Sequence, residues 1–275
     1  YVKKGEAIDN EAAKRATSVY LVDRVIPMLP EVLSNNICSL RPNIDRLAYS
    51  VLFEMDEKAN LINHSMHKTV IHSNMRFTYQ SAQNVIDNKK GILDTELLLL
   101  DNLSKVLRKK RKENGSINFE RSEVKFILDD NNNPINVYFK ESLSTNHLIE
   151  EFMLLANKTI AKHIGFPKKD AKNFVYRVHD TPDNDKIATL NNIVKKFGYS
   201  INNDSASKLS QSLNGLLKNV KDKNEQQMVE ALTIRSMAKA VYTTNNIGHY
   251  GLAFDYYSHF TSPIRRYPDL IVHRL

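Results

Sequence analysis

The chain is poor in cysteine, glycine and long apolar runs, and each scarcity excludes a class of protein. Its single cysteine, Cys38, cannot form an internal disulfide, so we expect a reducing, cytoplasmic location. Its 8 glycines form no G-x-G-x-x-G, Walker A or G-x-S-x-G pattern, which argues against dinucleotide-binding proteins, P-loop proteins and α/β-hydrolases. The sequence has neither an apolar run long enough to cross a membrane nor a signal peptide, so no membrane partner is expected.

Positive charge is in excess. The 275 residues carry a net charge of +8 and the pI is about 9.3, which suits an acidic partner such as nucleic acid without requiring one. A hydrophobic content of 41% is enough for one large domain or two smaller ones. Because the chain starts at Tyr1 and stops at Leu275 within an amphipathic pattern, we expect it to be a piece of a longer polypeptide, truncated at both ends.

The order of the predicted elements, with strands early and helices late, is typical of an α+β fold. Strands are predicted over 19–26, 47–55, 61–72, 124–128, 135–139 and 174–178. Helices are predicted over 9–16, 78–88, 95–112, 146–163, 181–198, 205–220 and 223–242, with a further short helix from Pro30. No repeat and no clear boundary divides the chain, so we predict a single domain over residues 1–275.

Two adjacent arginines lie where a helix is predicted to begin. Ser262 is a good N-cap and Pro263 a good first helical residue, which places Arg265 and Arg266 in the first turn. The helix dipole disfavours cations there, and a bound phosphate would reverse this cost. The alternative is a partial offset of the Arg265 charge by Asp269, four residues further on the same face.

Three other patterns each have a plain structural interpretation beside a functional one. The G-x-x-G at 248–251 fits a KH-type loop only weakly, because its surroundings are aromatic. His64, His67 and His72 could suggest a metal, but exposed strand histidines explain them better, since positions 64 and 67 lie on opposite faces of a strand. The basic run 108–112 is either a solvated helix end favoured by the dipole or a contact for RNA phosphates.

Acidic and aromatic residues give two further candidate groups. Glu150 and Glu151 lie early in an otherwise apolar helix, where they either pair with the helix dipole or serve a cation or a metal-bound water. Tyr20 and Tyr79 are core aromatics by default, but exposed aromatics in a basic chain also stack on single-stranded nucleic acid. The sequence leaves both questions open.

Several collinear segments together resemble the catalytic RNB domain of the ribonuclease II/ribonuclease R family, nearer to its ribonuclease R branch. They are 17–30 (TSVYLVDRVIPMLP), 33–35 (LSN), 38–42 (CSLRP), 77–79 (FTY), 148–153 (LIEEFM), 176–179 (YRVH) and 248–275, beginning GHYGL and containing YSHFTSPIRRYPDL. The resemblance covers essentially the whole chain. It implies an α+β domain whose mixed or antiparallel sheet and helices surround a channel for single-stranded RNA.

The resemblance also implies an activity, a hydrolytic 3′→5′ exoribonuclease that releases nucleoside 5′-monophosphates with Mg²⁺. The protein is then expected to be a monomer that takes single-stranded RNA and no small-molecule cofactor. Tyr20 matches the base-stacking tyrosine and Phe119, more loosely, its aromatic partner. Tyr79 matches the tyrosine near the 3′-terminal nucleotide.

Three further residues complete the set that the resemblance implies. Glu150 matches the active-site glutamate, and Arg265 matches the arginine at the scissile phosphate. Arg266 beside it is predicted to bind RNA.

One departure from the family concerns the metal. The aspartates that hold magnesium in the family lie upstream of the segment that matches 1–5, so no metal ligand is expected within the chain. The family's flanking OB-fold domains are not expected within it either. We therefore expect these 275 residues alone to hydrolyse RNA weakly or not at all. The alternatives are a non-catalytic RNA-binding relative and a helical interaction module with a basic surface.

Overall fold

The computed structural model describes residues 1–117, 123–166 and 173–275, and within them it has an α+β fold, as predicted. The helices are α1 (Ala7–Arg15), α2 (Tyr79–Asn88), α3 (Asp94–Glu113), α4 (Ser144–Gly165), α5 (Asn184–Lys195), α6 (Ala206–Val220), α7 (Gln226–Ser236) and α8 (Tyr267–Val272). The strands are β1 (Val19–Tyr20), β2 (Val25–Ile26), β3 (Asp45–Met55), β4 (Leu61–His72), β5 (Glu123–Leu128), β6 (Pro134–Lys140), β7 (Tyr176–Val178) and β8 (Val241–Thr243). Val32–Ile37 is a short π-helix, and Tyr250–Leu252 is a 3₁₀ turn.

The chain divides into two compact units. The first comprises Tyr1–Leu107, Ser122–Ile160 and His259–Leu275, and the second comprises Arg108–Arg121 and Ala161–Ser258. The interpretation of residues 1–275 as one catalytic domain stays a prediction. None of the helices in the described ranges combines the length and the apolarity that a membrane span requires.

The sheets of the first unit are three antiparallel pairs of strands. The longest pairs β3 with β4 in the register Asp45↔His72 to Phe53↔His64, and these strands agree with the ones predicted over 47–55 and 61–72. The pair of β5 with β6 turns at Asp129, whose carboxylate accepts the amides of Asn131 and Asn133. The strand predicted over 19–26 is wrong in one respect, because it is interrupted. The Leu21 amide donates to the Arg24 carbonyl, so the segment folds back as the hairpin of β1 and β2.

The predicted start of one helix of the first unit agrees with the structure, and the predicted start of another does not. Thr78 caps α2 through a reciprocal pair of bonds with Ser81, as predicted. Ser144 is the first residue of α4, which begins two residues before the predicted start at 146. Its hydroxyl donates to Asp101 at 2.6 Å, a partner on α3 that is distant in sequence.

Two small apolar clusters pack the first unit. One consists of Ala12, Met28, Leu29 and Leu33, which lie on and around α1 and the π-helix. The other joins Ala59, Leu107 and Leu155 and so packs α3 and α4 against the β3–β4 hairpin. These clusters hold the segments that carry the predicted site residues.

The second unit has a helical core. Residues at helical spacing on α5 and α6 are buried against each other and against Val229 of α7. They are Ile187, Leu190, Val194, Leu209, Leu213, Leu216 and Val220. The helix predicted over 223–242 ends at Ser236, because Val241–Thr243 leaves it to pair antiparallel with β7.

A buried carboxylate links α1 to α8 within the first unit. Asp9 accepts hydrogen bonds from the Gly5 amide at 2.7 Å, the Tyr267 hydroxyl at 2.9 Å and the Arg274 guanidinium at 2.8 Å. The Arg274 hydrogen bond is the main reason why the pKa of Asp9 is lowered to about 2. Asp9 therefore stays ionised in the folded protein at a pH where an unfolded aspartate is already protonated.

This pKa predicts how stability depends on pH. An unfolded aspartate has a pKa of about 3.9, so the Asp9 contribution is fully present above about pH 4 and is lost as the pH falls through 2. We expect the thermal midpoint of the wild type to fall more steeply in this window than that of Asp9→Asn, whose amide does not titrate. Asp130→Asn, at an exposed turn, should follow the wild type. Parallel profiles for the wild type and Asp9→Asn would contradict the assignment.

Candidate active site

The segment that carries Arg265 is a turn, and the helix after it begins later than predicted. The amides of Arg265 and Arg266 both donate to the Ser262 carbonyl, at 3.2 and 3.1 Å, which closes this turn. Arg266 is extended, and α8 begins only after it, with Pro268 in its first turn. The predicted start at Pro263 is wrong, because the proline that suits the first turn of this helix is Pro268.

The carboxylate of Asp269 pairs with Arg266 and not with Arg265. It is fully buried, at 0% exposure, and accepts from the Arg266 Nε and Nη2 atoms at 2.8 Å each. The predicted offset of the Arg265 charge by Asp269 is therefore wrong. The Arg265 side chain is exposed, and its guanidinium has no hydrogen-bond or ion-pair partner among the residues that the structure describes. The RNA-binding role predicted for Arg266 stays a prediction.

The backbone of Arg265 is joined to the segment that carries Tyr20. Its carbonyl accepts from the Ser18 amide at 3.0 Å and from the Thr17 hydroxyl at 2.9 Å. Thr17 also forms a β-bridge with Arg266. Two contacts from the residues just before Tyr20 thus fix the position of the Arg265 turn.

Tyr20 is a surface residue. It lies in β1 at 59% exposure, and its neighbours Val19 and Leu21 are exposed as well. The core alternative for Tyr20 is therefore wrong. An exposed ring in a basic chain is available for stacking on a base.

The two acids of α4 are in different environments. Glu150 is exposed, with Oε2 at 3.3 Å from His147 Nδ1, whereas Glu151 is buried at 3% exposure. Glu150, the residue that the resemblance assigns to the active site, is thus the one that can meet a ligand from solvent.

Helix α4 is also joined to the loop before Arg265, through a residue that the sequence did not predict. The side-chain oxygen of Asn157 accepts from the amides of Phe260 at 2.9 Å and Thr261 at 3.2 Å. Asn157 is buried at 2% exposure. The signal available in the sequence was an amide inside the apolar run of α4, a position that demands a hydrogen-bond partner.

Tyr79 is held by its backbone and leaves its ring exposed. Its carbonyl accepts from the Thr145 hydroxyl at 3.0 Å, which joins the start of α2 to the start of α4. The residue is 46% exposed, and Lys140 Nζ lies 6.0 Å from the centroid of its ring. Hydrogen bonds to backbone groups within the first unit thus connect the segments of Tyr20, Arg265, Glu150 and Tyr79.

The two remaining predicted RNA contacts are Phe119 and the basic run 108–112. Phe119 lies outside the residues that the structure describes, so its role stays a prediction. The basic run at the end of α3 is uneven. Lys109 is exposed, whereas Arg111 is buried and donates to the Ser116 hydroxyl at 3.5 Å.

The described residues do not form a metal site by themselves. Across 1–117, 123–166 and 173–275, no group of three or more His, Cys, Asp or Glu side chains is placed to hold an ion. The histidines of β4 do not form one, and His72 pairs with Asp45 at 2.7 Å. Glu150 is the one carboxylate among the predicted site residues, and Mg²⁺ needs more oxygen ligands than it supplies.

The chain belongs to the RNB domain family, whose model matches residues 1–275. The resemblance stated from the sequence is thereby confirmed. The ribonuclease R proteins of Thermotoga maritima and Aquifex aeolicus are 43% and 40% identical to the chain over its whole length. The chain covers 39% of the length of each of these two relatives.

A solved structure supports the same assignment. Mycoplasma genitalium RNase R in complex with ribose methylated single-stranded RNA superposes with a TM-score of 0.91 at 30% identity. The match covers 100% of the present chain and 43% of that protein. The α+β fold is therefore shared with a ribonuclease R that has been observed with RNA bound.

Proposed function

We propose that the whole protein containing this chain is a hydrolytic 3′→5′ exoribonuclease that degrades single-stranded RNA processively to nucleoside 5′-monophosphates. The observation that carries the proposal is the exposed guanidinium of Arg265, which has no partner among the residues that the structure describes. It lies on a turn hydrogen-bonded both to the Tyr20 segment and to the helix of Glu150. The likeness to ribonuclease R proteins supports RNA as the substrate.

Each candidate residue suits one part of such a reaction. The planar fork of Arg265 can hold two oxygens of the scissile phosphate and stabilise the negative charge that develops when water attacks phosphorus. Glu150 can accept a hydrogen bond from that water or from a ribose hydroxyl. The exposed rings of Tyr79 and Tyr20 can pack on the terminal ribose and base and on a base further from the 3′ end.

The Mg²⁺ dependence of the whole protein is part of the proposal and rests on the family resemblance. A divalent ion would neutralise phosphate charge and activate water. Because the described residues form no cluster that could hold an ion, no step is assigned to it here. A monomeric state, a cytoplasmic location and the absence of a small-molecule cofactor are proposed on the same basis.

Comparison of linear and circular RNA tests the proposal. The whole protein, with Mg²⁺, should release mononucleotides from a linear RNA labelled at its 5′ end while the labelled strand shortens progressively. A circular RNA of the same sequence should stay intact, because it offers no 3′ end. Cleavage of the circle would contradict an exonuclease. Binding of the linear RNA without cleavage would support a non-catalytic relative, and absence of both would support an interaction module.

A further inference from the structure

At the start of the loop that leads to Arg265, one buried side chain binds two successive amides, while the Phe260 carbonyl accepts from His273 Nε2 at 2.8 Å. Two successive amides, of Phe260 and Thr261, both donate to the Asn157 side-chain oxygen, at 2.9 and 3.2 Å. The Phe260 and Asn157 side chains are both buried. Without that oxygen, the Phe260 amide would be a buried donor with no partner, which a folded protein avoids.

The rest of the loop is held by contacts at Ser262 and at Arg265 itself. Asp269 accepts the Ser262 amide at 2.8 Å, and the Arg265 carbonyl accepts from Ser18 and Thr17. The backbone from Phe260 to Arg265 is therefore fixed before, within and after the turn. Within residues 260–265, the exposed side chain is that of Arg265, and its guanidinium has no partner among the described residues.

The position of Asn157 on α4 relates this loop to Glu150. The two residues are seven apart on one continuous helix, which is about two turns and about 10.5 Å along the axis. They therefore lie near the same side of α4. Asn157 joins the Arg265 loop to the element that also carries the proposed active-site carboxylate.

We propose that Asn157 is a positioning residue that sets Arg265 in register with Glu150 for the reaction. The inference rests on the proposed function, because it requires Arg265 to act on the scissile phosphate. Because Asn157 is only 2% exposed, we assign it no contact with the substrate. Its oxygen holds the loop, the loop holds Arg265, and a displacement of about 1 Å in such a group can cost about 10²-fold in rate.

Two substitutions of Asn157 separate positioning from stability. Asn157→Leu keeps the branched four-atom shape of the side chain and removes the acceptor, whereas Asn157→Asp keeps an oxygen in place. We expect Asn157→Leu in the whole protein to lower kcat for mononucleotide release by about 10- to 100-fold, with KM for RNA changed less than about threefold. Asn157→Asp should recover most of kcat even if burial of its charge lowers the thermal midpoint.

Thr261→Val is the matched control in the same loop. The Thr261 hydroxyl is buried and has no partner among the described residues, so valine removes no contact that the structure contains. Its kcat should stay within about twofold of the wild type. If kcat instead follows the thermal midpoint across all three variants, or falls equally in Thr261→Val, Asn157 is structural and the inference is overturned.

A double substitution distinguishes a failure of this inference from a failure of the proposed function. If Asn157 acts through Arg265, Asn157→Leu should cost little more once Arg265→Ala is present. A full further loss in that background would overturn the positioning role and leave the role of Arg265 intact. If Arg265→Ala alone leaves mononucleotide release unchanged, the proposed function of Arg265 fails, and the inference fails with it.

Discussion

Replacement of Arg265 by lysine should lower kcat of the whole protein by about 10²–10³-fold, the typical cost of losing one donor to a developing oxyanion. Lysine keeps the positive charge but lacks the planar fork that can hold two phosphate oxygens at once. The guanidinium of Arg265 is exposed and unpaired within the described residues, so the substitution breaks no internal contact. Affinity for RNA should change far less than kcat, because the charge remains.

The measurement is kcat from steady-state release of mononucleotides at saturating RNA, beside the dissociation constant for the same RNA. Arg15→Lys is the matched control, since Arg15 lies on the surface of α1 and pairs with Glu11 at 2.9 Å. It should leave both quantities unchanged. Equal losses of binding and turnover in Arg265→Lys would mean that Arg265 only holds the substrate.

Replacement of Tyr20 by alanine should change where digestion stops more than how fast it begins. Stacking of one base on an aromatic ring is worth about 1–3 kcal/mol, or about 5- to 150-fold in affinity. Short RNAs depend most on this contact, because they have few others. The variant should therefore leave longer end products, while long substrates are degraded at a similar initial rate.

The control for Tyr20 is Tyr20→Phe, which keeps the ring and should give the wild-type end products. A core truncation of an aromatic residue costs about 3–5 kcal/mol of folding free energy. Because Tyr20 is 59% exposed, neither substitution should have such a cost, and the thermal midpoint should stay close to that of the wild type. The end products are measured on a sequencing gel beside the thermal midpoint. An unchanged product ladder in Tyr20→Ala would remove Tyr20 from the RNA path.

Elements with local signals could be predicted from the sequence. The capping box of Thr78 and the turn at Asp129 are decided by residues within four positions, so α2 and the β5–β6 hairpin agree with their predictions. The strands β3 and β4, which a short turn joins, also agree with their predictions. These elements need no knowledge of the rest of the chain.

Elements decided by distant partners could not be predicted. Ser262 and Pro263 look like a helix start, but the Ser262 amide is taken by the Asp269 side chain and the following residues bridge to Thr17. The pairing is visible only in three dimensions, and it moves the start of α8 beyond Arg266. The same holds for Ser144, whose hydroxyl is taken by Asp101 on another helix.

The residues of the candidate site fall into the same two groups, those that a local motif identifies and those that depend on a distant partner. Arg265, Glu150, Tyr20 and Tyr79 could be named from motifs, and the structure adds that their side chains are exposed. The residue that positions the loop could not be named. Asn157 and Phe260 are 103 positions apart, so the pattern of α4 indicates a buried amide without its partner.

The most direct test of the central claim is the fate of the water oxygen. The whole protein digests a linear RNA in H₂¹⁸O with Mg²⁺, and the products are analysed by mass spectrometry. The proposed reaction predicts nucleoside 5′-monophosphates that each carry one ¹⁸O on phosphorus, released from the 3′ end and strongly reduced in Arg265→Lys. Nucleoside diphosphates that form only with added phosphate, or oligonucleotides from internal cleavage, would contradict it.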